Sequence, residues 1–183
     1  MSSQKALQWI KEGYYLVAKD GINSINIESI SRRVNKNKSS FYHYFGDLGS
    51  FESELLNYHI QQAEAFSKKI TECEKIKPDV IKVFIEYKTD LLFHKQLRIN
   101  RENPEYQRCF ERAFKELEVA FIDKWAGFLG LNDRKLFAAA FLQLIAENFL
   151  LQITEYTFDY DWLDRYLDSI YVILQQMGHD SGL

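Results

Sequence analysis

Hydrophobic residues recur along this chain at three- and four-residue steps, the period of helices that lay one face against a core. Over 4–19, Leu7, Ile10, Tyr14 and Val17 with Ala18 form one apolar stripe, and Asp20-Gly21 ends it because glycine accepts the left-handed C-cap. Asn26 is placed to cap a short helix over 27–34, with Ile27, Ile30 and Val34 as its apolar residues. Asn35-Lys36-Asn37 follows as a polar turn, and Asn37 caps a third short helix, 38–45, whose Phe41 and Phe45 share one face. Gly46-Asp47 breaks the chain before a long helix over 47–73. After Lys75 to Lys77 the spacing predicts four more helices, 78–101, 104–129, 132–157 and 161–177. Pro78 and Pro104 stand at helix starts, and Leu131-Asn132-Asp133 supplies a cap for the helix over 132–157. No run alternates like a half-buried strand, so the class is all-α, with about eight to nine helices.

The helix over 132–157 is apolar on nearly every side and must be covered all round. The last helix carries Leu163, Leu167, Ile170, Tyr171 and Leu174 on one stripe, with Trp162, Tyr166 and Ile173 elsewhere. A dimer seam is the expected use of both, with Phe137, Phe141, Leu144, Trp162, Tyr166 and Ile173 at the interface, since two-fold dimers are the commonest oligomers. An intrachain core is the alternative.

Composition narrows the class further. A hydrophobic fraction of 46% and a charged fraction of 27% suit a soluble globular protein of 183 residues. The aromatic share of 15% is high, enough to fill a large core or line a cavity for an apolar or aromatic ligand. Polar groups on otherwise apolar helices, His94, Gln143, Glu147 and Asn148, are candidate pocket residues, with Tyr87, Phe114 and Trp125 as walls. Gln143, Glu147 and Asn148 also interrupt the most apolar stretch, which argues against a membrane span. Cys73 and Cys109 have no CxxC spacing and no secretory signal opens the chain, so a reduced cytoplasm is the expected setting. The four histidines show no metal-ligand spacing, and no Walker A loop, GxGxxG or GxSxG occurs. Neither catalysis, nor a metal, nor a cofactor is expected.

Charge is distributed unevenly. Residues 1–50 hold seven cations (Lys5, Lys11, Lys19, Arg32, Arg33, Lys36, Lys38) against four carboxylates, within a chain whose net charge is −3. That leaves the first quarter basic, as a polyanion-binding face requires. Three short helices with a three-residue turn between the second and third have the geometry of a helix-turn-helix. With Phe41 and Phe45 turned inward, Lys38, Ser39, Ser40, Tyr42, His43 and Tyr44 are left for the exposed faces and the N-terminal end, the part that enters the major groove in this motif.

The run Ile30-Ser31-Arg32-Arg33-Val34-Asn35-Lys36-Asn37-Lys38-Ser39-Ser40-Phe41-Tyr42-His43-Tyr44-Phe45 resembles the signature of TetR-family transcription regulators, and the likeness extends over about residues 7–60. The resemblance implies a DNA-binding domain over 1–47 and a helical ligand-binding and dimerisation domain over 48–183. It places Asn26 where a polar residue touches phosphate, Lys38, Ser39, Ser40 and His43 against the groove, and Tyr42 and Tyr44 on the sugar-phosphate. A homodimer would read a palindromic double-stranded operator, and a small apolar or aromatic inducer would release it, the usual behaviour of a repressor. This chain departs from the family pattern at Ser31 (usually Ala), Asn35 (usually Gly) and Leu48, where the family carries a phosphate-binding Lys. The last departure favours an alternative, a helical ligand-binding or interaction module that has lost its operator.

Overall fold

The structure, a computed structural model, describes residues 4–179. Among them are nine α-helices and no strand: α1 (Gln4–Asp20), α2 (Ile27–Arg33), α3 (Lys38–Phe45), α4 (Leu48–Glu72), α5 (Ile81–Glu86), α6 (Lys88–Ile99), α7 (Pro104–Leu129), α8 (Lys135–Gln152) and α9 (Tyr160–His179). None is long and apolar enough to cross a membrane.

The chain packs as two compact units. The first comprises the described residues through Ala65 together with Thr89–Lys115, and the second Phe66–Lys88 with the described residues from Glu116 onward. In the first unit the α1 stripe buries Trp9, Ile10, Tyr14 and Val17, and Phe41 of α3 meets Trp9 edge-on at 5.6 Å. Phe51 of α4 completes the aromatic core, 5.1 Å from Phe41 and 4.8 Å from Phe45. Gly13 faces Phe51 so closely that a Cβ there would stand 2.5 Å from Phe51 Cζ, so only glycine fits this turn of α1. The second unit is built around Trp125, whose indole N–H donates to the Ala138 carbonyl at 3.1 Å, with Phe66, Ile70, Ile81, Phe149 and Phe158 buried in the same unit. Lys77 ties the segment before α5 to α9 through Asp164 (2.9 Å) and Asp168 (2.6 Å).

Three expectations need correction. The helix over 78–101 is two, α5 and α6, because Tyr87 leaves helical angles (φ −94°, ψ 25°) while its ring stacks on Phe66 at 4.5 Å. No proline or glycine marks that break. The helix over 132–157 stops at Gln152, since Ile153 is extended and Thr154 and Thr157 each accept the other's backbone N–H, at 3.1 and 3.2 Å. Such hydroxyl-to-backbone bonds compete directly with the helical ladder. No side chain of Leu131-Asn132-Asp133 caps that helix; the chain turns at Gly130 (φ 71°) and enters α8 through a short 3-10 turn, Asn132–Arg134.

Candidate nucleic-acid interface

Two side-chain caps define the helix-turn-helix. Asn26 Oδ1 accepts the Ser29 N–H at 2.8 Å and starts α2; Asn37 Oδ1 accepts the Ser40 N–H at 2.9 Å and starts α3. Between them Asn35 takes φ 53°, the left-handed region that asparagine tolerates better than most, and the Lys36 N–H closes the turn on the Ser31 carbonyl at 3.0 Å. Gly46 (φ 75°) ends α3, donating its N–H to the Tyr42 carbonyl at 2.9 Å. Asp47 then caps α4 by accepting the Ser50 N–H at 2.7 Å, a bond that holds its carboxyl below the usual carboxylate range.

Burial of Phe41 and Phe45 fixes which residues α3 presents. Lys38, Ser39 and His43 are exposed, Tyr42 is 52% exposed, and Ser40 and Tyr44 are half-buried. These six share one short helix, and Asn26 is exposed at the start of α2. Ser40 is partly committed, since its hydroxyl also donates to Asn37 Oδ1 at 2.8 Å. Lys38 lies 3.4 Å from Glu28 with both side chains largely in water, a pair too weak to hold it from a phosphate. Arg33 pairs with Glu12 at 3.1 Å and lies over the Tyr15 ring, whereas Arg32 and Lys36 are exposed beside the turn. Leu48 is half-buried at the first position of α4. The residues that set the position of α3 without touching solvent, Gly13 and Phe51, escape a reading of the sequence, although a glycine inside a strongly periodic helix marks a close approach.

No family model and no curated protein matches the sequence. Among solved structures, one described as a "putative TetR-family transcriptional regulator" from Mesorhizobium loti superposes with a TM-score of 0.60 over 96% of this chain and 97% of that one, at 14% sequence identity. The chain shares the fold of that structure. The other residues singled out in the sequence are distributed over both units. Of the candidate pocket residues, His94 and Phe114 belong to the first unit, where Phe110 stands 4.2 Å from His94 and 6.1 Å from Phe114. Tyr87, Trp125, Gln143, Glu147 and Asn148 belong to the second. There Tyr87 and Trp125 are buried, Glu147 is half-buried, and Gln143 and Asn148 are exposed. An open cleft of about 520 Å³ in the second unit, lined by Cys73, Lys75, Lys77, Lys124 and Phe128 among others, includes none of the seven.

The candidate interface residues divide by exposure. Phe137, Leu144 and Ile173 are exposed, while Phe141, Trp162 and Tyr166 are half-buried. Trp162 and Tyr166 stack at 5.0 Å, and the Tyr166 hydroxyl lies 3.0 Å from Asn148 Oδ1. Around them α8 leaves Leu136 (91%), Leu144 (70%) and Leu151 (74%) open, and α9 leaves Val172 and Ile173 half in water.

Proposed function

We propose that the protein is a non-enzymatic, cytoplasmic transcriptional regulator of the TetR family that binds a palindromic DNA operator as a homodimer. Residues 1–47 are its reading head and 48–183 its ligand-binding and dimerisation part. The observation that carries this reading is α3, a side-chain-capped helix whose inner face is locked by Phe41 and Phe45 and whose other residues are lysine, serine, histidine and tyrosine. Short serines at the N-terminal end let the backbone approach the duplex; Lys38 and His43 reach the groove, and Tyr42, Tyr44 and Asn26 bond to the sugar-phosphate. The apolar stripe on α8 and α9 supports the dimer, because exposed leucines in such a row mark an association surface. Two reading heads at a separation of about 34–36 Å would then match half-sites one turn apart. A small apolar or aromatic inducer that binds better to another separation releases the operator, which makes the protein a ligand-responsive repressor.

The test is a titration of labelled DNA from the gene's own upstream region at two salt concentrations. Binding should saturate and weaken with salt, and Tyr42→Ala should weaken it about tenfold further, the cost of about one good hydrogen bond. Leu48 favours a second reading, an interaction module without an operator. Indifference of the wild type to its own upstream DNA, to random duplex and to heparin would select that reading.

A further inference from the structure

In the first compact unit, four polar side chains from three helices make a continuous hydrogen-bonded chain within an apolar core. Tyr14 of α1 donates its hydroxyl proton to Asp90 Oδ1 of α6 at 2.9 Å, and the same hydroxyl oxygen lies 2.7 Å from His59 Nδ1 of α4. Across the His59 ring, Nε2 is 3.1 Å from His94 Nδ1 of α6. Tyr14, His59 and His94 are buried and Asp90 is half-buried. The chain ends at His94 Nε2, a buried nitrogen with no partner, on a ring stacked against Phe110 at 4.2 Å.

Every inner member of this chain can both donate and accept. Burial pushes the His94 imidazole down to about 3 and holds His59, which also faces His94, well below the usual histidine range. Both rings are therefore neutral, each with one N–H that can sit on either nitrogen. Burial lifts the Asp90 carboxyl to about 6, so this end of the chain changes protonation in the physiological range while the rings do not charge.

We propose that Asp90, Tyr14, His59 and His94 form a proton wire with two hydrogen-bond directions that differ by one proton. In the first, Asp90 is a carboxylate: Tyr14 O–H donates to it, His59 Nδ1–H donates to the Tyr14 oxygen, His94 Nδ1–H donates to His59 Nε2, and His94 Nε2 is a bare acceptor. A proton added at His94 Nε2 displaces the Nδ1 proton to His59 Nε2. His59 passes its own Nδ1 proton to Tyr14, and the Tyr14 proton moves to Asp90. The second state has one more proton, now on Asp90, and every bond reversed: Asp90 O–H donates to Tyr14, Tyr14 to His59 Nδ1, and His59 Nε2–H to His94 Nδ1. The output is His94 Nε2, which turns from acceptor to donor.

The surroundings leave the wire as the titrating element. Tyr58 on α4 (ring 5.0 Å from Tyr14) and Cys109 on α7 also face it, and burial raises both, Cys109 to about 12, so both stay neutral. Arg98 on α6 lies over the Phe110 ring at 5.6 Å. Lys95, on the same helix, is lowered by burial. α1 is shared with the proposed reading head, since Trp9, about one and a half turns before Tyr14, supports Phe41. The wire itself does not depend on DNA binding.

The experiment is long-range ¹H–¹⁵N correlation of the histidine rings in the full chain between about pH 5 and pH 8, where neutral tautomers are distinguished by their nitrogen shifts. His59 and His94 should both be Nδ1–H at the alkaline end and both Nε2–H at the acid end, changing together near pH 6. Asp90→Asn should abolish the pH dependence in this range, and Tyr14→Phe should uncouple both rings from Asp90. If either ring keeps its tautomer throughout, or becomes doubly protonated in the folded wild type, there is no wire. The wild-type and Asp90→Asn comparison decides the matter even if Tyr14→Phe does not fold.

Discussion

Gly13→Ala should destabilise the protein even though alanine is the better helix former. Replacing glycine inside a helix ordinarily gains about 1 kcal/mol. At Gly13 the new methyl would stand 2.5 Å from Cζ and 2.8 Å from Cε1 of Phe51. The ring must therefore withdraw by about 1 Å to reach ordinary carbon–carbon contact. It has nowhere to go, because Phe51 is fully buried, with Phe41 at 5.1 Å and Phe45 at 4.8 Å on the α3 side. Overpacking of this kind costs about 1–3 kcal/mol, and a boxed-in aromatic belongs at the upper end. The net loss should be about 1–2 kcal/mol, lowering the melting temperature by roughly 2–8 °C for a chain of this size. Gly127→Ala is the matched control: Gly127 lies in α7, exposed, and its added Cβ would meet only Asn132 Oδ1 at an ordinary 3.7 Å. It should gain up to about 1 kcal/mol. Urea midpoints of the two variants and the wild type measure both changes; a Gly13→Ala protein as stable as Gly127→Ala would mean that Phe51 does not hold α1 against α3.

Three further outcomes follow from single side chains. Ser31 is buried with an unpartnered hydroxyl, so Ser31→Ala should raise stability by about 1–2 kcal/mol by removing an unsatisfied polar group from a helix; an unchanged or lower urea midpoint would show the hydroxyl to be satisfied. Leu48→Lys should strengthen DNA binding and steepen the log K against log salt slope by about 0.9, one added phosphate contact; an unchanged slope would place position 48 away from the duplex. Asp90→Asn should make the protein more acid-labile. His94 stays neutral to about 3 in the fold, whereas unfolded it takes a proton near 6.5, so its contribution to stability falls as pH drops through that window. Asp90 acts oppositely: with its folded pKa raised to about 6, its contribution is complete below the unfolded value of about 3.9 and lost as pH rises through 6. Removing it should cost roughly 1–2 kcal/mol more at about pH 4.5 than at about pH 7, allowing for its partial exposure, as read from urea midpoints at the two pH values. An equal cost at both would mean that Asp90 carries no proton on folding.

What could be read from the chain, and what could not, separates by the distance over which each signal acts. The helix-turn-helix is written within three or four residues at a time: Asn26 and Asn37 as caps, Asn35 as the left-handed turn, and Phe41 and Phe45 four apart. Local chemistry decides those features, and the structure has each where the spacing puts it. The split at Tyr87 has no local signal, because stacking on Phe66, a residue 21 positions earlier, accompanies it. The early end of α8 did carry a signal, the Thr154 and Thr157 hydroxyls, but helical periodicity running on to Ile153 outweighed it. The proton wire lies between these cases. Tyr14 reaches His59 over 45 residues and Asp90 over 76, separations no periodicity can connect. Asp90 and His94 do stand four apart on α6, a spacing that puts both on one face, but Lys88, Lys95, Gln96 and Arg98 on the same helix leave the pair nothing to stand out by. The apolar circumference of α8 is the converse: its periodicity is lost because Leu136, Leu144 and Leu151 lie outside the core while Ala138, Leu142 and Phe149 lie within it. A helix apolar on both sides is poorly explained by one chain, since the outer leucines gain nothing from folding unless something else covers them. The proposed dimer would cover Leu136, Leu144 and Leu151, while Ala138, Leu142 and Phe149 serve the chain's own core.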